Sequence, residues 1–334
     1  MNLSTTPNST HSSNETVAPV ANWTIVPVFT LVTFILGLFG NGSLLFLFFM
    51  KRPLRTPFNI YLINLLFSNC AWTLIQYPLD LVSNLYSEWY LGESACTLYL
   101  YGTGILQAAV LNAHQLIAIN RVWAAVAPIS YRSIHTHRTA FFVCLGGWVY
   151  THLTTAPAWI MDSLYYRQPV DTTHSCRMNG KSQQIYMAII TLFIFDTPPL
   201  LMIIALIVTC ASFCKRRRKQ NTLHPTTTSA AIGSHHQPSS APIRRKKSHN
   251  NHLLVLIFLT ISVNGCWTPL NVYFTLSLFG KRFEGAAFFR AGNVLFSCQT
   301  MLDPILFALA LSRIRKELGK CLFSRMRAAA CVHP

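Results

Sequence analysis

The chain has 334 residues, of which 51% are hydrophobic and 11% charged, and its formal net charge is +17. So little polar surface cannot clothe a water-soluble globule of this size, and the apolar excess is expected to face lipid. The basic excess falls in connections between apolar runs, which excludes a nucleic-acid footprint and points to anionic membrane lipids and acidic proteins as electrostatic partners.

In chain order, residues 1–23 form a Ser/Thr/Asn-rich segment with sequons at Asn2, Asn8, Asn14 and Asn22, the pattern of a glycosylated extracellular N-terminus. Met1 to Thr16 has no apolar core, so the first apolar run is expected to serve as the insertion signal. A membrane-crossing helix needs about 20 mostly apolar residues. Such runs lie near 24–50, 58–83, 95–126, 139–161, 185–214, 252–278 and 286–310, and the third reads as the least hydrophobic. The fold class is therefore all-α, a seven-transmembrane helix bundle over 24–311, followed by a short amphipathic helix and tail over 312–334.

The connections alternate in charge. Taking the chain as seven spans, 21 Lys and Arg fall on the side of the C-terminus and six on the other: Arg167, Arg177, Lys181, Lys281, Arg282 and Arg290. The positive-inside rule then places the C-terminus in the cytosol and the N-terminus outside, as in a plasma-membrane protein. The long connection 215–251 is basic at both ends and Thr/Ser/His/Pro-rich between them. Its ends are expected to extend helices beside the membrane and its middle to be disordered, with Ser and Thr open to kinases. Cys321 in the basic tail is a candidate for acylation. Of ten cysteines, only Cys96 and Cys176 fall at predicted extracellular positions, and an oxidising exterior would bridge them.

Ordered markers run through all seven segments: Gly40-Asn41; Asn64-Leu65 with Ser68-Asn69; Trp89 and Gly92 before Cys96; Asn120-Arg121-Val122; and Pro128 with Tyr131-Arg132. Trp148 and Pro157, Phe195 and Pro198, Cys266-Trp267-Thr268-Pro269 and Asp303-Pro304-Ile305-Leu306-Phe307 complete the series. Each is weak alone, but in this order and spacing the chain resembles the rhodopsin-like G-protein-coupled receptors. The physical reading agrees. Pro198, Pro269 and Pro304 remove backbone hydrogen bonds and kink membrane helices. Thr103, Gln107, Val110, His114, Ile117 and Arg121 recur at three- and four-residue spacing and put the polar face of the third helix inward.

The resemblance implies that Trp267 lies beneath a ligand and that Arg121, caged in the resting state, is released to meet a heterotrimeric G protein. Three departures stand against it. Asn120 replaces the caging acid, so a looser resting state with raised basal signalling, or a different lock, is expected. Asn69 and Asp303 exchange the family's Asp and Asn, leaving one carboxylate in a polar core with Asn41, Asn69 and His114, where His114 either pairs with Asp303 or bonds locally. Val110 stands where a hydroxyl would help hold a sodium ion. Leu206 and Phe307 replace two inner tyrosines, and Phe307 loses a hydroxyl directed toward Arg121.

Ser297 fills the position at which family photoreceptors attach retinal through Lys, and Thr103 the position at which amine receptors place Asp. A photoreceptor and a cationic amine ligand are both disfavoured. The helix faces above Trp267 predict a pocket of Asp80, Tyr99, Thr103, Gln107, Asn271, Phe274, Arg290 and Asn293, suited to a peptide or a small neutral or lipid-like molecule. The expected function is a receptor that signals by movement of helix six, with arrestin and receptor kinases engaging the 215–251 loop. The alternative is a non-coupling receptor that binds a ligand or partner only. A duplicated transporter finds no internal repeat, and an enzyme finds no paired carboxylates or metal-spaced His/Cys cluster in the spans; neither a cofactor nor a metal is expected.

Overall fold

The computed structural model describes residues 20–223, 241–278 and 286–320. The spans are α1 (Ile25–Met50), α2 (Pro57–Leu85), α3 (Gly92–Val126) and, after the short α4 (Pro128–Ile134), α5 (His137–Met161). A lid segment containing α6 (Val170–Thr173) leads to α7 (Gln184–Ile190), which a π turn at Thr191–Asp196 joins to α8 (Thr197–Leu223) as one span. Then come α9 (Ala241–Leu278) and α10 (Ala286–Ala310), and α11 over 312–320. The basic ends of the 215–251 loop do extend helices, α8 to Leu223 and α9 from Ala241; the stretch 224–240 lies outside the described residues.

Local chemistry fixes the boundaries. Thr56 caps α2 through the amide of Asn59 at 3.3 Å with Pro57 at the first helical position, and Thr136 caps α5 through the amide of Thr139 at 3.2 Å. Gly92 opens α3 at φ +78°, a left-handed conformation open to glycine, and its carbonyl accepts from Trp89 Nε1 at 2.9 Å.

Helix α3 is the axis of the bundle. It packs against α2, α5, α8 and α9, while α1 and α10 close the ring between α2 and α9. Side chains of the main core, including Leu65, Leu66, Leu111, Ile117, Met202, Leu256, Leu259 and Phe307, are buried along this axis. Phe39, Phe46, Leu153, Ile207 and Ile261 are exposed on the outer faces, where a bilayer would cover them.

Glycines set two close helix approaches. A Cβ on Gly104 would run into the Trp159 ring, and one on Gly40 would lie 2.8 Å from Pro304 Cγ.

Among the described residues six helices are long and apolar enough to cross a membrane by length and composition, and α5 is not among them. Trp148, Thr151, His152, Thr154 and Thr155 dilute the apolar run of α5. Much of that polarity is turned inward: Thr151 and Thr155 are buried and bond to their own helix, and Trp148 Nε1 donates to Asn64 Oδ1 of α2 at 2.9 Å. Helix α11 is amphipathic, with Ile314 buried and Arg313, Arg315 and Lys316 exposed.

Candidate functional site: a cavity, a polar core and a caged arginine

Three polar constellations lie along α3. At the end nearest the disulfide, Cys96 and Cys176 are bonded with Cα atoms 5.5 Å apart. The lid that follows α5 is tied down beside them. Arg167 donates to Asp162 at 2.9 Å and Thr97 at 2.8 Å and approaches Glu93 at 3.3 Å, while Asp162 accepts the amide of Asn179 at 2.8 Å. Asp162 and Arg167 were not singled out from the sequence, although a lone acid at the end of an apolar run is a recognisable signal for a buried partner.

Beneath the lid is a cavity of about 430 Å³. Of the predicted lining, Asp80, Tyr99, Thr103, Gln107, Phe274 and Asn293 face it. Asn271 does not: its Nδ2 donates to the carbonyl of Phe195 at 2.8 Å. That carbonyl is four residues before Pro199, which has no N–H to offer it, so Asn271 serves helix geometry. The Arg290 side chain lies outside the described residues. Helix faces alone did not reveal Trp72 and Gln76 of α2, Phe296 of α10, Phe29 of α1 or Arg177 of the lid, all on the cavity wall. Gln76 bridges two helices, its Nε2 donating to Thr103 Oγ1 at 2.7 Å and to Asp80 Oδ1 at 3.2 Å. Trp267 is buried below, edge-on to Phe296 with centroids 4.6 Å apart.

Halfway down, Asp303 gathers the polar core. Its carboxylate accepts from Asn69 Nδ2 at 2.8 Å and Gln299 Nε2 at 2.7 Å, and His114 Nε2 stands 3.2 Å away. Asn69 also donates to Asn41 Oδ1 at 3.1 Å. Asn41 Nδ2 donates in turn to the carbonyl of Thr300 at 2.7 Å, the group that Pro304 leaves without an N–H partner. Gln299 was missed in sequence; its Oε1 accepts from Ser262 at 3.0 Å and so links the core to α9. Nδ1 of His114 lies 2.8 Å from the carbonyl of Val110, so the imidazole bonds locally and pairs with Asp303 at once. The expectation posed these as alternatives.

At the opposite end Arg121 is 7% exposed. Its guanidinium carbon lies 3.7 Å from the centroid of Phe58, and Nη2 donates to the Tyr131 hydroxyl at 2.9 Å and to Asn120 Oδ1. Asn120 Nδ2 meets His135 Nε2 at 3.0 Å, and His135 stacks on Tyr131 with centroids 4.3 Å apart. Burial, then the charges of Arg121 and His137, push the His135 pKa down to about 4, so the ring is neutral and accepts. A second cavity, about 240 Å³, is lined here by Phe58, Arg121, Tyr131, Arg132, Thr209 and Arg216. Phe307 is fully buried in the main core. Asn22 is exposed, whereas Asn2, Asn8, Asn14 and Cys321 lie outside the described residues.

A seven-helix bundle with a disulfide-tied lid, a buried tryptophan beneath the cavity and an inward arginine defines a membrane receptor. The family model for the 7 transmembrane receptor (rhodopsin family) matches residues 40–307. The chain belongs to that family, whose members are receptors and not enzymes. Similar curated proteins include human melanopsin, 29% identical over 54% of this chain and 38% of its own length. Rhodopsin of Enteroctopus dofleini is 31% identical over 40% of this chain and 30% of its own. Melanopsin of Branchiostoma belcheri is 27% identical over 48% and 22%. The matched region spans well under half the length of these relatives.

Proposed function

We propose that this receptor passes a ligand signal from the lidded cavity to a heterotrimeric G protein at the Arg121 end. The sequons and the charge asymmetry orient the lid outward and Arg121 toward the cytosol. The observation that carries the reading is the continuous polar connection from Gln299 and Asp303 to Ser262 on α9. A ligand that repositions Trp267 or Phe296 would shift the population of α9, the sixth span, and widen the basic cavity around Arg121. Arrestin and receptor kinases would read the 215–251 loop.

Despite the similarity to melanopsins, α10 contains no Lys. Ser297 stands at the predicted attachment position, its hydroxyl donating to the carbonyl of Asn293 at 2.9 Å. A light-independent ligand, peptide or small molecule, is therefore the better reading.

The test is ligand-free nucleotide exchange on the main Gα classes, comparing this chain with Arg121→Ala at matched surface expression. Exchange that depends on Arg121 supports coupling. A second reading, a non-coupling receptor that only binds, is favoured by the replacements at Asn120, Leu206 and Phe307, and exchange absent from both proteins under every condition that engages the pocket would establish it.

A further inference from the structure

The walls of the lidded cavity divide by character. Trp72, Phe274 and Phe296 form an aromatic side, with Trp72 and Phe296 edge to face at 5.6 Å. Facing the same space, α2 presents the carboxylate of Asp80. Its contacts are neutral: Gln76 Nε2 donates to Oδ1 at 3.2 Å, and the Tyr99 hydroxyl is the second partner.

Both donors are themselves held. Gln76 is anchored on Thr103 of α3, and Tyr99 packs on Trp89 with centroids 5.2 Å apart. Gly102 makes room for this arrangement, since a Cβ there would come within 2.7 Å of Gln76 Oε1. The carboxylate is thus oriented from two helices. Among the described residues it has no ion-pair partner.

A carboxylate in a membrane-embedded cavity, held by neutral donors and lining the same space as aromatic rings, is a ready counter-charge for a cation. Aromatic faces also attract a cation's charge and cover its apolar body. We infer that the cavity receives a ligand bearing a protonated amine or guanidinium, with Asp80 on α2 as its anchor in place of an acid on α3. The inference rests on reading this cavity as the ligand pocket. Arg177 of the lid lines the same space and forms no ion pair among the described residues; among those residues it is a rival counter-ion.

The experiment uses two probes that differ only in the terminal group, 4-phenylbutylamine and 4-phenylbutanol, on the purified full chain in lipid nanodiscs at neutral pH. Thermal stabilisation is titrated for the natural chain, Asp80→Asn, Asp80→Glu and Arg177→Ala. The inference expects stabilisation by the amine over the alcohol, an apparent affinity roughly tenfold or more weaker in Asp80→Asn from loss of one charged hydrogen bond, and recovery of amine preference in Asp80→Glu.

Equal responses to the two probes, or an amine response that survives Asp80→Asn, would overturn it. So would an amine response confined to Arg177→Ala, which would make Arg177 the resident counter-ion. Nucleotide exchange without any probe reports on coupling alone. Loss of amine preference with Arg121-dependent exchange intact removes only the cation assignment, and the converse removes only the coupling.

Discussion

His114 on α3 faces Asp303 on α10 across the bundle axis, Nε2 lying 3.2 Å from the carboxylate with both side chains wholly buried. Nδ1 also meets a carbonyl at 2.8 Å, and Gln299 Nε2 lies 3.1 Å from His114 Nε2 and 2.7 Å from the carboxylate, so the three side chains form one buried network.

The first prediction concerns that pair. Replacing His114 by Leu or Asp303 by Asn should each cost about 3 kcal/mol or more, since either leaves a buried polar partner uncompensated. The double variant should lose much less than the sum. Thermal unfolding in a double-mutant cycle measures the coupling; additive losses would show the two groups to be independent. Thermal stability should also respond no more to sodium than to potassium.

The arginine cage gives a second. Tyr131→Phe keeps the stack on His135 and removes the hydroxyl that Arg121 donates to. A hydrogen bond to a charged group contributes about 1.5–3 kcal/mol, so basal nucleotide exchange should rise by about tenfold or more. Asn120→Asp should lower it by adding the missing charge. Unchanged exchange in both variants of a protein that couples would remove Asn120 and Tyr131 from the lock.

Acid should loosen the same cage. The pKa of His135 is depressed to about 4 in the folded chain against about 6.5 when unfolded. The neutral ring's contribution is complete above about pH 6.5 and declines as pH falls toward 4, because a protonated Nε2 cannot accept from Asn120. The pH slope of thermal stability over this window should flatten in His135→Phe, which keeps the ring and does not titrate. An unaltered slope would assign the pH response to other groups.

Close packing supplies the fourth. Gly104 lets α3 approach Trp159 of α5, whose indole donates to the carbonyl of Leu100. Gly104→Ala places a methyl group into that ring, and overpacking of this kind costs about 1–3 kcal/mol. A lowered melting temperature, largely relieved by Trp159→Phe in the same chain, would identify the contact. No change would mean that the helices part freely there.

Much of this molecule was legible from its sequence, for a physical reason. A bilayer demands long apolar runs, and charge asymmetry and kink prolines are local features, so the spans, their order and the inward face of α3 follow from composition and periodicity. The pair Cys96 and Cys176 was legible because compartment restricts which thiols can meet. The length-and-composition signal is weakest for α5, whose Thr and Trp residues turn inward to bond with α2 and with their own backbone.

What tertiary structure alone decided is who meets whom. Gln299 and Gln76 are ordinary polar residues until helix packing sets one beside Asp303 and the other between Asp80 and Thr103. Asn271, expected in the pocket, instead answers a carbonyl freed by Pro199, and Tyr131 supplies the cage that Asn120 lacks. Periodicity gives the direction a side chain leaves its own helix. Rotation, tilt and close approach of neighbouring helices, set by contacts such as Gly40 on Pro304 and Gly104 on Trp159, determine what it finds there.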